Sequence, residues 1–134
     1  MNKLELFITS VRDNLHLVEG FIENIVESFE LKESIRGKIT LSTIEAVNNA
    51  ILSGNKENPE KLVKLTAEKE KEKVVITVED EGEGFDFKNI PDPTIPENLM
   101  KTNGRGVYLM IHLTDELLFA KNGAKVVMTF FLNS

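Results

Sequence analysis

The residues with the clearest chemical potential stand at positions 80–84, which read Asp-Glu-Gly-Glu-Gly. They follow a β-branched run at 74–79 that predicts a strand. Alternate side chains of a strand share a face, so Asp80 lies on the same, more apolar side as Val78. A carboxylate on a buried face is costly unless something hydrogen-bonds to it, and Gly82 and Gly84 permit close backbone approach. We interpret this stretch as one wall of a ligand pocket, although taken alone it is more typical of an acidic turn.

Two other clusters of residues carry similar potential. Glu45 and Asn49 stand four residues apart in a predicted helix, so they point the same way, one turn apart. Such a pair is compatible with a solvated surface or with the border of a cleft. Gly104-Arg105-Gly106 precedes a predicted short helix, and a glycine-rich backbone that leads into a helix N-terminus favours anions.

The three clusters together suit a nucleotide. A buried carboxylate such as Asp80 can accept a hydrogen bond from an exocyclic amine, and an amide oxygen can join phosphate oxygens around Mg²⁺. Helix N-terminal amides and an Arg side chain can hold phosphates. A carboxylate one turn from the metal ligand can act as a general base. The sequence contains no Walker A motif and no eukaryotic-type kinase signature set.

Composition limits the remaining possibilities. The 134 residues suit one domain, which we assign to residues 1–134, and the absence of cysteine excludes disulfides and thiolate metal sites. A net charge of −6 disfavours broad nucleic-acid binding. No segment approaches membrane-spanning length, and the N-terminus lacks the apolar region of a signal peptide. We therefore expect a cytoplasmic protein with no nucleic-acid or membrane partner.

Hydrophobic periodicity predicts the elements that must position these clusters. Strands are predicted at residues 3–9, 61–68, 74–80, 117–120 and 124–132. Helices are predicted at residues 10–30, capped by Thr9 or Ser10, and at 34–53, closed by Gly54, with a short buried helix after Gly106. A proline-containing loop spans residues 85–103. This order predicts an α+β fold with helices on one face of a mostly antiparallel sheet.

The three clusters also match a known family. Residues 45–50, Glu-Ala-Val-Asn-Asn-Ala, resemble the N box of the GHKL (histidine kinase-like) ATPases. Residues 80–86 resemble their G1 box, and residues 104–110 resemble their G2 box. Within that superfamily the chain most resembles bacterial anti-sigma factor serine/threonine-protein kinases, with which it shares its small size, the Pro91-Asp92-Pro93 loop and the Gly-Arg-Gly turn.

The resemblance implies a Bergerat-type two-layer sandwich that binds ATP and Mg²⁺, with the loop up to Asn103 as the ATP lid. It makes Asn49 the Mg²⁺ ligand, Glu45 the catalytic base and Asp80 the partner of the adenine amino group. The base and sugar would lie against Gly82 and Gly84. The phosphates would lie against Gly104, Arg105 and Gly106.

The resemblance also implies partners. Members of the family phosphorylate a serine or threonine on a STAS-type anti-sigma antagonist and hold a sigma factor inactive by partner switching, commonly as homodimers. Two positions depart from the family pattern: Ser53 stands where many members carry His, and Ala124 stands where many carry a Thr that helps to fix adenine.

Two other functions remain open from the sequence. The departures at Ser53 and Ala124 favour a nucleotide-gated protein-binding module without transfer activity. A detached ATP domain of a histidine kinase is the other alternative, although His16 and His112 lie in predicted helices and the chain has no separate phosphoacceptor segment. A lone histidine in such a helix is most simply structural.

Overall fold

A computed structural model describes residues 2–82 and 102–132, with side chains from Gly106 onward in the second range. Five strands are described: β1 Lys3–Thr9, β2 Leu62–Glu70, β3 Lys73–Glu79, β4 Glu116–Ala120 and β5 Lys125–Phe131. They form one sheet in the order β1-β2-β3-β5-β4, and each neighbouring pair is antiparallel. The α-helices within these ranges are α1 Leu15–Ser28, α2 Glu33–Asn49 and α3 Thr102–Leu113. The predicted α+β fold, with helices packed on an antiparallel sheet, is therefore confirmed.

Strand alternation builds the core as predicted. The register places Leu65 opposite Val78, and Ile76 opposite Met128. The alternate residues of the three central strands are buried: Val63, Leu65, Ala67, Val74, Ile76, Val78, Val126, Met128 and Phe130. The predicted apolar seam of α1 completes this core with Val18, Ile22 and Ile25. The predicted loop at 85–103 lies outside the described residues up to position 101.

The first helix differs from its prediction at both ends. Ser10 does not cap it, because the Ser10 hydroxyl donates instead to the Lys61 carbonyl oxygen at 2.8 Å. The chain first makes a short 3₁₀ turn, Arg12–Asn14, and α1 begins only at Leu15. It ends at Ser28, and Glu30 adopts a left-handed φ of 54°, which turns the chain towards α2.

The second helix ends in an unusual turn that matters for the site. The α-helical part ends at Asn49 and widens into a π-turn over Ala50–Gly54. The Asn55 N–H donates to the Ala50 carbonyl oxygen at 2.8 Å, five residues back. Such insertions occur often at functional sites, because the extra residue displaces the backbone that follows.

Two large apolar residues of α3 and β5 are exposed. Ile111 of α3 is 57% exposed, and Phe131 of β5 is 44% exposed on the outer face of the sheet. His112 is exposed too, so α3 is less buried than predicted. None of the helices within residues 2–82 and 102–132 combines the length and apolar character that crossing a bilayer requires.

Candidate functional site

Glu45 and Asn49 lie on one flank of α2, one turn apart, as predicted. Asn49 is 6% exposed, yet among the described residues neither its amide oxygen nor its amide nitrogen has a hydrogen-bond partner. The Oε2 atom of Glu45 is also buried without a partner. Leaving such a group unpaired costs about 1–3 kcal/mol, so buried polar atoms are nearly always bonded. Three unpaired atoms within one helical turn therefore suggest a place where a bound molecule supplies the missing bonds.

Gly106 of α3 lies directly against this pair. A Cβ atom on Gly106 would stand 3.0 Å from Glu45 Oε2 and 3.1 Å from Asn49 Nδ2, closer than side chains normally pack. The glycine therefore leaves the space above both polar groups free. The structure thus brings the Glu45/Asn49 cluster into contact with the Gly104-Arg105-Gly106 cluster.

The Gly104-Arg105-Gly106 segment has a different conformation from the one predicted. We expected it to lead into a helix N-terminus, but α3 already begins at Thr102, so the three residues lie in its first turns. Packing of α3 on α2 outweighs the low helix propensity of glycine. The side chain of Arg105 lies outside the described residues, so its predicted phosphate contact remains a prediction.

Asp80 directly follows β3, on the buried face that the alternation predicts. Its own N–H donates to the Ala124 carbonyl oxygen at 2.8 Å, and its Oδ1 accepts from the Gly82 N–H at 2.7 Å. Burial raises the pKa of the Asp80 carboxyl above its ordinary value of 3.8, and the neighbouring Glu79 adds to this. The Gly82 N–H and the charge of Lys61 act in the opposite direction on this pKa.

Gly54 makes room for this carboxylate. A Cβ atom on Gly54 would overlap the carboxyl carbon and oxygens of Asp80, and a Cβ on Gly82 would overlap the Gly54 carbonyl. The two glycines are therefore required for close packing beneath Asp80. Sequence analysis missed this role, because it assigned Gly54 to the end of a helix and no motif marks it. Within the described residues, Gly123 alone among the glycines has a positive φ, of 98°.

A small cavity of about 20 Å³, room for about one water molecule, lies between the clusters. Asn49 and Asp80 both line it, and the other lining residues are apolar or small: Ala46, Ala50, Val78, Met110, Phe119, Gly123, Ala124 and Val126. The chemistry of these walls, apolar with one inward carboxylate, suits a flat heterocycle that carries a hydrogen-bond donor, and the cavity must widen to admit it. Asn49 lines this cavity and, like Glu45, lies against Gly106. Asn49 therefore connects the cavity with Glu45.

The structure thus gathers four of the predicted site residues at one place: Glu45, Asn49, Asp80 and Gly106. Gly82 supports the Asp80 turn from below. Gly104 and Arg105 lie in α3, and the position of the Arg105 side chain is not among those described. Gly84 lies outside the described residues.

A second polar cluster next to the site was not predicted. Asn55 is 1% exposed, and its Nδ2 donates to Ser10 Oγ at 2.7 Å and to the Leu62 carbonyl oxygen at 3.0 Å. Its Oδ1 accepts from the Glu81 N–H at 2.8 Å. We call these four residues, Ser10, Asn55, Leu62 and Glu81, the Asn55 network. It fixes the chain one residue after Asp80, so it holds the carboxylate's turn in place.

Comparison with known proteins agrees with this geometry. The family model described as a histidine kinase-like ATPase domain matches residues 8–130, nearly the whole chain. No curated protein matches the sequence significantly.

Proposed function

The chain belongs to the histidine kinase-like ATPase family, and we propose that it binds Mg-ATP and transfers phosphate to a serine or threonine of a STAS-type anti-sigma antagonist. By the same proposal, it holds a sigma factor through partner switching. The observation that carries the proposal is the contact between Gly106 and the unpaired atoms of Glu45 and Asn49, beside the cavity that Asp80 lines.

Each residue has a separate part in the proposal. The unpaired Asn49 amide oxygen fits a hard cation, so Asn49 would ligate Mg²⁺. The Asp80 carboxylate, inside apolar walls, would accept from the adenine amino group. Gly82 and Gly84 would border the base and sugar, while Gly104, Arg105 and Gly106 would lie at the phosphates. Mg-ATP supplies the phosphoryl group, and the Glu45 carboxylate would take the proton of the attacking hydroxyl.

The first test is a calorimetric titration with ATP, with and without Mg²⁺. We expect the wild-type protein to bind more weakly when EDTA removes Mg²⁺, and Asn49→Ala to bind weakly whether or not Mg²⁺ is present. Asp80→Asn should lose at least about tenfold in affinity, because it removes the carboxylate acceptor. Gly37→Ala, on the exposed face of the same helix with open space around it, is the matched control. Equal affinity in wild type and Asn49→Ala would refute the metal assignment.

The second test is phosphate transfer to a STAS-type partner. Glu45→Ala should abolish transfer but still bind nucleotide, because the base acts only in the chemical step. The protein could instead bind nucleotide but transfer no phosphate to a partner that another kinase does phosphorylate. That result would favour the alternative of a nucleotide-gated binding module. Ala124, which lines the cavity where relatives carry Thr, favours that alternative. An acid-labile phosphate on His16 or His112, both of which are exposed, would instead point to histidine kinase chemistry.

The protein partners of the chain are also part of the proposal. A sigma factor, a STAS-type antagonist and a second copy of the chain are expected from the family resemblance alone. Co-purification with each protein in the presence of ADP or ATP tests them, and nucleotide-independent binding would argue against partner switching.

A further inference from the structure

Two hydroxyl groups inside α2 are buried in an unusual way. Ser42 and Thr43 are both 0% exposed, and neither hydroxyl oxygen has a hydrogen-bond partner in the part of the chain that the structure describes. A serine or threonine inside a helix commonly donates to the carbonyl four residues earlier. Thr40 of the same helix does so, to the Arg36 carbonyl oxygen at 2.8 Å. Ser42 and Thr43 lack even this ordinary bond, so each requires an explanation.

The two hydroxyls point in different directions around α2. At about 100° per residue, Ser42 lies within roughly 60° of Glu45 and roughly 20° of Asn49. Thr43 lies more than about 100° from both and shares the face of the apolar residues Ala46, Val47 and Ala50. Ser42 is therefore the third member of a polar row with Asn49, which is buried, and Glu45, which is half-buried, whereas Thr43 lies among core residues.

We infer that Ser42 is a positioning residue, whose hydroxyl donates a hydrogen bond to the Glu45 carboxylate when Mg-nucleotide is bound. This inference rests on the proposed function. Residues three apart on a helix have Cβ atoms about 5–6 Å from each other, a gap that a hydroxyl and the longer glutamate arm can close. Among the described residues, neither Ser42 Oγ nor Glu45 Oε2 has a hydrogen-bond partner, so no existing bond has to break.

The bond has a physical consequence for Glu45. A hydroxyl that donates to an ionised carboxylate makes a charge-assisted hydrogen bond, which holds the carboxylate in one orientation. In the proposed reaction, the second carboxylate oxygen would then stay directed towards the attacking hydroxyl. Ser42 itself touches neither nucleotide nor partner in this scheme, because it acts only through Glu45.

The test is a set of four nucleotide affinities, measured with Mg²⁺ and the non-hydrolysable analogue adenylyl imidodiphosphate. The proteins are the wild type, Ser42→Ala, Glu45→Ala and the double variant. A bond that forms on nucleotide binding contributes to affinity, so Ser42→Ala should weaken binding about fivefold when Glu45 is present. It should have no effect in the Glu45→Ala background, because the partner of the bond is then missing.

Two controls separate positioning from structure. Thr43→Val removes the other buried, unpaired hydroxyl and should leave affinity and transfer unchanged. Ser42→Thr keeps a hydroxyl and should restore the affinity that Ser42→Ala loses. Without nucleotide, Ser42→Ala should be at least as resistant to urea as the wild type, because it removes an unpaired polar group and favours the helix.

Each outcome decides a different question. If the wild type does not bind the Mg-analogue, the proposed function fails and this inference fails with it. If the wild type binds and Ser42→Ala weakens binding equally with and without the Glu45 side chain, Ser42 does not act through Glu45 and the inference alone is overturned. The same holds if Ser42→Ala behaves like Thr43→Val. A fivefold loss confined to proteins that retain Glu45 supports the inference.

Discussion

Two asparagines at the end of the same helix have opposite surroundings. The Asn55 side chain makes three hydrogen bonds within residues 2–82 and 102–132, and that of Asn49, six residues earlier, makes none there. Both are buried, at 1% and 6% exposure, so solvent explains neither case. The fold satisfies the asparagine that joins four segments and leaves unsatisfied the one beside the cavity. The contrast indicates that Asn55 serves folding and that Asn49 is available to a bound molecule.

The largest expected effect tests this contrast directly. Asn55→Ala removes three hydrogen bonds and leaves the Glu81 N–H and the Leu62 carbonyl without their side-chain partner. We expect a loss of about 3 kcal/mol in the free energy of unfolding, measured by urea denaturation. Asn49→Ala should not lower that free energy, because it breaks no side-chain bond among the described residues and removes two unpaired buried atoms. Similar losses in the two variants would contradict the contrast.

The next effect concerns the contact beneath Asp80. Gly54→Ala places a methyl group on the Asp80 carboxylate, and overpacking of this kind costs about 1–3 kcal/mol. Asp80→Ala removes the atoms that the methyl group would overlap. The double variant should therefore be more stable than the sum of the two single losses predicts. Strictly additive losses in urea denaturation would show that the overlap is relieved by some other movement.

The third effect separates binding from stability at Gly106. In Gly106→Ala the new methyl group would crowd Glu45 Oε2 and Asn49 Nδ2, so nucleotide affinity should fall at least about tenfold. Its effect on unfolding should be small, since the helix gains about 1 kcal/mol from replacing glycine and loses some of it to crowding.

Gly37→Ala provides the matched measurement for that variant. No atom lies within 4 Å of a Cβ at this position, so we expect a gain of about 0.5–1 kcal/mol and unchanged affinity. A comparable loss of affinity in both variants would mean that Gly106 has no special relation to the site.

The sequence predicts the polar residues of the cavity better than the contacts that support them, and the reason is physical. The alternation of Val74, Ile76 and Val78 predicted the buried face and thus the position of Asp80, because strand geometry has a fixed period of two. The spacing of Glu45 and Asn49 predicted their common direction for the same kind of reason. Local periodicity therefore located the polar residues of the cavity.

The contacts that support these residues could not be read from periodicity. Gly54 meets Asp80 from the last position of the π-turn that follows Asn49, and nothing in the local sequence distinguishes that turn from an ordinary helix end. The Asn55 network joins residues up to 45 positions apart, which only tertiary packing brings together. Ser42 was detectable in principle, since it precedes Glu45 by three and Asn49 by seven, but burial had to show that it lacks a partner.

The smallest expected effect is a pH dependence at Asp80. Burial raises the pKa of this carboxyl in the folded protein above 3.8, so the folded state binds the proton more tightly than the unfolded state does. Charging Asp80 therefore destabilises the fold above the raised pKa, and this penalty is lost as pH falls through it and below 3.8. Asp80→Asn cannot titrate, and its amide oxygen can still accept from the Gly82 N–H. Without nucleotide the variant should thus be more stable than the wild type at neutral pH, and the difference in urea denaturation should shrink towards acid pH. A difference that stays constant with pH would mean that Asp80 is as well solvated as a surface carboxylate, and the cavity would then lose its buried acceptor.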